Sequence, residues 1–155
     1  MAATNPIINS LIVPLHEQQF IVPQTGLAEV ISRETPEAVG GDAPWLKGMI
    51  TWRGQQIPVI SLEELCGRES GAMTKDSRYV VLYGIEGIPG LSYYAVEVSG
   101  IPHPVKLADA NMLMGGTQDS DCGIVAFNVL AEGEEAVLLN SAKLEKHISE
   151  QLQRL

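Results

Sequence analysis

The chain has 155 residues, 45% of them apolar, with a net charge of −9. That length allows one domain, or two small units around a shared core, burying about two-thirds of the extended-chain surface. The acidity argues against nucleic acid or anionic membrane as partners, since phosphate recognition needs clustered Lys and Arg, and no apolar run is long enough to cross a bilayer directly.

Residues 1–10 lack periodic pattern and read as a tail. Leu11–Leu15 predicts a short strand that Pro14 places at an edge or bulge; Phe20–Val22 predicts the returning strand. Thr25-Gly26 breaks it, and Leu27–Ile31 forms another apolar segment. Ser32–Pro44, with its Gly and Pro among charged residues, predicts a surface loop. Met49–Trp52 and Gln56–Ile60 then flank a turn at Arg53-Gly54, where Gly54 supplies the positive φ of a three-residue hairpin with a bulge. Alternation sends Ile50 and Trp52 to a core and leaves Arg53 on the opposite face, at the hairpin rim. Ser61-Leu-Glu-Glu64 is a capping-box pattern opening one short helix that Gly67 stops.

Arg68–Ser77 is polar and reads as a linker. Arg78–Tyr83 has the pattern of a buried strand, Glu86–Gly90 turns the chain, and Ser92–Val98 returns as its partner. Ile101–Leu107 is extended, and Ala108–Asp121 reads as a loop. Ile124–Phe127 and Ala136–Leu139 form a second hairpin over Glu132-Gly133-Glu134. Asn140 or Ser141 caps a terminal helix whose Leu144, Ile148, Leu152 and Leu155 share one face. The halves resemble each other: Phe20–Leu27 overlays Tyr94–Ile101 at an offset of 74 (Phe20 to Tyr94), and Gly48–Trp52 overlays Gly123–Phe127 at 75 (Gly48 to Gly123). The chain thus reads as a single domain over 1–155, with a first β subdomain at 11–67, a second at 78–140 and a helix over 141–155. Short all-β units of this kind close into barrels to remove their edges.

Catalytic chemistry has few candidates. There is no Gly-x-Ser-x-Gly elbow, no phosphate loop and no paired-histidine motif. His16, His103 and His147 are scattered singly, so neither a metal nor a cofactor is expected. Cys66 and Cys122, far apart and without a secretory pattern upstream, read as reduced structural thiols of a cytoplasmic protein. Surface recognition remains.

The run Leu46-Lys-Gly-Met-Ile-Thr-Trp-Arg-Gly-Gln-Gln-Ile-Pro-Val-Ile-Ser-Leu62 resembles the signature hairpin of the CheW family, the scaffold proteins of bacterial chemosensory arrays. Gly48, Arg53, Gly54, Pro58 and Val59 match that signature; Thr51-Trp52 replaces its Asn-Leu and Ser61 its Asp. Leu27-Ala-Glu-Val30 stands where the family carries Val-x-Glu-Ile, with Glu29 as the matching acid. Further departures are Glu97, near an Asp the family prefers, and Asn140 in place of an Asp cap. The resemblance implies a pair of five-stranded, SH3-like β-barrels around a shared core. It also implies a non-enzymatic adaptor, free of catalytic and cofactor residues, that couples the cytoplasmic tip of methyl-accepting chemoreceptors to a CheA-type histidine kinase. Type IV pilus (twitching motility) systems are among the pathways such proteins serve. Partner binding falls on Arg53, Gly48, Glu29, Leu27 and Gly54. The protein is then cytoplasmic, recruited to membrane-associated arrays without touching membrane or nucleic acid itself. The rival reading is a small-molecule sensor holding its ligand in the groove between the barrels.

Overall fold

Apolar residues at alternate positions of Leu46–Trp52 make a strand with one buried face: Leu46, Gly48, Ile50 and Trp52 are buried and Thr51 is exposed. The computed structural model describes residues 8–16, 18–68, 74–107, 112–114, 124–131 and 133–155. Its strands are β1 (Ile8–Pro14), β2 (Gln19–Pro23), β3 (Leu27–Ser32), β4 (Leu46–Trp52), β5 (Gln55–Ile60), β6 (Arg78–Tyr83), β7 (Tyr93–Val98), β8 (His103–Leu107), β9 (Met112–Met114), β10 (Val125–Ala131) and β11 (Glu134–Leu139). A 3₁₀ turn (Gln24–Gly26) follows β2, α1 (Leu62–Leu65) follows β5, and α2 (Ser141–Gln153) follows β11. The fold is mainly β. The first strand begins at Ile8, inside the expected tail, because residues 8–12 pair with β8. Met112–Met114 is a strand rather than loop; the rest of 108–121 lies outside the described residues.

The strands form two sheets, one of six in the order β8-β1-β2-β11-β10-β9 and one of five in the order β3-β6-β7-β5-β4. Neither is drawn from one half of the sequence. The β1–β2 hairpin completes the sheet of β8–β11, and the β6–β7 hairpin completes that of β3–β5. Each guest hairpin enters by a parallel pairing, β2 on β11 and β7 on β5. Residues aligned across the two sheets make equivalent rows: Glu29–Val81–Ala95–Val59–Gly48 in one and His103–Ile12–Ile21–Leu138–Phe127 in the other. The offset is 74 from Ile21 to Ala95, as the sequence overlay has it, but 79 from Val59 to Leu138. Gly48 therefore matches Phe127 and not Gly123.

Three apolar clusters follow from this arrangement. Ile12, Ile21, Val105, Val129 and Ala136 form a cluster on the six-stranded sheet. Ile50, Trp52, Ile57, Val59, Tyr79, Val81 and Ala95 form another on the five-stranded one. Between the sheets lies the shared core, where Val13, Phe20, Leu82, Tyr94 and Val96 meet Leu144 and Ile148 of α2. Burial of this kind is the dominant favourable term in folding. The expected backbone-closed barrels are not formed among the described residues, since β3 and β4 are unpaired edges of one sheet. A single bridge, Glu37 with Met49, covers part of that seam, so the 33–45 connection is more than a surface loop.

Gly48 has φ +140°, and a Cβ on it would stand 2.3 Å from the Glu37 carbonyl oxygen. Its lack of a side chain is what lets the bridge form. Asn140 caps α2 by accepting from the Lys143 N–H at 3.2 Å. Leu155 falls beyond the helix end and is exposed, whereas Glu145 and Gln151 are buried. Cys66 is disulfide-bonded and not a reduced thiol, which removes the cysteines as an argument for a reducing compartment; Cys122 lies outside the described residues.

Candidate functional site

The β4–β5 turn is tighter than the sequence suggests. Trp52 pairs directly with Gln55, leaving a two-residue loop of Arg53 (φ 48°) and Gly54 (φ 77°). Positive φ at both positions is the requirement of a type I′ turn, whose twist matches the flanking strands. Arg53 is the one non-glycine residue with positive φ among the described residues. That conformation turns its side chain back, so the guanidinium lies over the Trp52 ring, 4.6 Å from its centroid. The expectation that Arg53 sits on the face opposite Trp52 is thereby corrected: strand alternation ends where the turn begins.

Glu29 completes the corner from the facing edge. It follows a register irregularity in β3, between Leu27 and Glu29. Its Oε1 accepts from Trp52 Nε1 at 3.2 Å and from Arg53 Nη2 at 2.9 Å. These bonds tie β3 to β4 across the open seam. The Arg53 side chain is 65% exposed, so the pair contributes about 0–1 kcal/mol to stability. With Nη2 committed to Glu29, the rest of the guanidinium fork is presented outward, suited to a carboxylate or a backbone carbonyl.

From this corner an aromatic track runs to the shared core. Trp52 is buried and meets Tyr93 at 4.8 Å between centroids; Tyr93 meets the exposed Tyr83 at 5.4 Å. Tyr83 in turn lines a cavity of about 240 Å³ between the sheets, walled by Phe20, Val22, Leu82, Tyr94 and Leu139. Small-molecule sites usually measure about 300–1,000 Å³. This one has room for an apolar side chain or two, and its walls are mainly hydrocarbon.

The other expected site residues lie apart. Leu27 is half-buried against the shared core. Gly48 meets the 36–37 backbone rather than the Arg53 corner, and Gly54 is exposed with open space at its Cα. The corner therefore unites Glu29, Trp52, Arg53 and Gly54, while Tyr83 and Tyr93 join from β6 and β7. Sequence reasoning passed over these tyrosines because they read only as ends of a buried-type hairpin.

The equivalent corner of the six-stranded sheet holds a different pair. His103 occupies the row position of Glu29, and its Nε2 meets Glu134 Oε2 at 2.9 Å. His103 thus links β8 to β11. Near α1, Lys47 pairs with Glu64, whose N–H bonds the Ser61 hydroxyl at 3.2 Å. Burial pushes the carboxyl of neighbouring Glu97 above its ordinary range; Lys47 opposes this, and Glu64 and Glu63 add to it.

A profile of the CheW-like domain matches residues 9–144. Among solved structures, the scaffolding protein TtCheW from Thermoanaerobacter tengcongensis is similar, with a TM-score of 0.72 and 18% sequence identity over 86% of this chain and 89% of that one. No curated protein sequence matches the chain. No helix among the described residues is long and apolar enough to cross a membrane.

Proposed function

The chain belongs to the CheW-like family, and on that premise we propose that it is a non-enzymatic adaptor joining a chemoreceptor tip to a CheA-type histidine kinase. The observation that carries this reading is the exposed Arg53 of the Arg53–Glu29 corner, linked through the ring contacts of buried Trp52 with Tyr93 and Tyr83 to the rim of the inter-sheet cavity. Aromatic residues and arginine are the types enriched at binding hot spots. A cavity of about 240 Å³ suits anchoring side chains of a protein partner better than a metabolite.

The mechanism is geometric. Two units in fixed relation hold two partners in register, so a conformational bias in the receptor reaches the kinase through their shared scaffold. The kinase's regulatory domain resembles CheW, which permits pseudo-symmetric pairing between first and second units. Arg53, Glu29, Leu27, Gly48 and Gly54 serve this role unequally: Arg53 contacts the partner, Glu29 orients it, and Gly48, Gly54 and Leu27 hold the surface in shape. The protein acts in the cytoplasm and reaches receptor arrays only through its partners. Affinity purification from the native cell tests the reading. Receptor and kinase should co-purify with the tagged parent protein; recovery of neither would contradict it.

A further inference from the structure

Glu145 has no part in the corner just described, yet it is fully buried. It lies in α2 between Leu144 and Lys146, beside the shared core. A buried carboxylate is costly unless its oxygens are hydrogen-bonded. No ion pair reaches it among the described residues. Instead its oxygens accept from the backbone of the β6–β7 connection: Oε1 from Ile85 N–H at 3.0 Å and from Glu86 N–H at 3.1 Å, and Oε2 from Ile85 N–H at 3.2 Å. Such charge-assisted bonds are about twice as strong as neutral ones. Leucine there would satisfy packing alone, so the acid's distinctive contribution is to the connection.

The connection is built to be held. A Cβ on Gly84 would stand 2.1 Å from the Leu91 carbonyl oxygen, Gly87 and Gly90 have positive φ, and Leu91 is buried as its inner anchor. Its outer residue, Ile85, is 63% exposed and still lines the inter-sheet cavity with Tyr83. A large apolar side chain is thus kept in water at the rim of an apolar cavity, at the end of the aromatic track.

We propose that Glu145 is a positioning residue for the partner-binding face, its buried carboxylate fixing the β6–β7 connection so that Ile85 and Tyr83 form the rim of the inter-sheet cavity. The inference rests on the adaptor reading, with the receptor tip as occupant. Pre-ordering a binding segment raises affinity by removing the entropy cost of ordering it on association. The helix that closes the shared core is thereby also the element that shapes the face.

The test uses the full chain and a soluble receptor fragment ending in the cytoplasmic hairpin tip, with titration calorimetry and amide exchange at Ile85 and Glu86. Glu145→Leu removes the acceptor, Glu145→Gln keeps one acceptor oxygen, and Ile85→Ser alters only the exposed rim. Glu145→Leu should speed exchange at both amides and weaken binding about ten-fold or more. Glu145→Gln should restore most of both effects, and Ile85→Ser should weaken binding while melting like the parent. Rapid exchange in Glu145→Leu with parental affinity would overturn the proposal. So would parental affinity in Ile85→Ser, which decides the matter even where Glu145→Leu fails to fold. If the parent itself does not bind the fragment, the adaptor reading fails and the inference falls with it.

Discussion

One carboxylate oxygen of Glu29 serves both Trp52 and Arg53, so hydrogen bonds join three side chains across the seam between β3 and β4. Trp52 is the structural member, buried with Ile50, Ile57 and Val59. Trp52→Ala should cost about 3–5 kcal/mol in urea melts; superimposed melts would place its ring at the interface instead. Arg53 is the exposed member. Arg53→Glu should stay within about 1 kcal/mol of the parent, since an exposed pair contributes little, yet lose receptor binding. The exchange Glu29→Arg with Arg53→Glu restores opposite charges across the seam but not the outward guanidinium. It should remain defective; recovery would mean that the pair matters only as a clasp. A pH effect belongs to Glu97. With its carboxyl raised above the ordinary 4.5, mainly by burial, the native state holds that proton more tightly than the unfolded chain. The stability it confers is complete below 4.5 and is lost as pH rises through the raised value. Glu97→Gln should therefore stabilise the protein at pH 7, by no more than about 1 kcal/mol given partial solvent screening, with the difference vanishing as melts are repeated toward pH 4.

The β4–β5 hairpin was legible in advance because burial alternation, Gly54 and the Ser61 cap are local signals. Its two-residue turn was not, since Arg53 gives no sign of positive φ until Trp52 is seen paired with Gln55. Nor was the Glu29–Arg53 contact, which joins opposite edges of a sheet across 24 residues. Gly48 shows how a signature glycine acquires a structural reason. With φ +140° and the Glu37 carbonyl against it, Gly48→Ala should lose about 2 kcal/mol or more, as strain and a forced backbone shift combine. Loss of binding in that variant should follow its stability. A parental melting temperature with abolished binding would make Gly48 a direct contact.

At the scale of the molecule, the internal likeness of the halves was readable from the offset of 74 between Phe20 and Tyr94, but neither the offset of 79 in the second hairpin nor the exchange of hairpins between the halves was. Parallel pairing of β2 with β11 joins residues more than a hundred positions apart, and hydrophobic periodicity carries no information about such partners. The exchange has a physical consequence. A fragment of residues 1–77 lacks β6 and β7, which cuts β3 off from β5 and β4; residues 78–155 lack β1 and β2, which cuts β8 off from β11 in the same way. Each fragment should be poorly structured alone by circular dichroism and regain β-sheet signal on mixing. Independent folding of either would contradict the exchanged topology. The exchange also ties the two units into one body, as the proposed adaptor role requires.

The most direct measurement of that role is reconstituted kinase activity, with receptor fragment, CheA-type kinase and this protein mixed and phosphate incorporation followed. The parent should assemble a complex of all three whose kinase rate depends on receptor state, while itself neither hydrolysing ATP nor accepting phosphate; Arg53→Glu should abolish the coupling while remaining folded. A kinase rate indifferent to the parent protein, or full coupling by Arg53→Glu, would contradict the account.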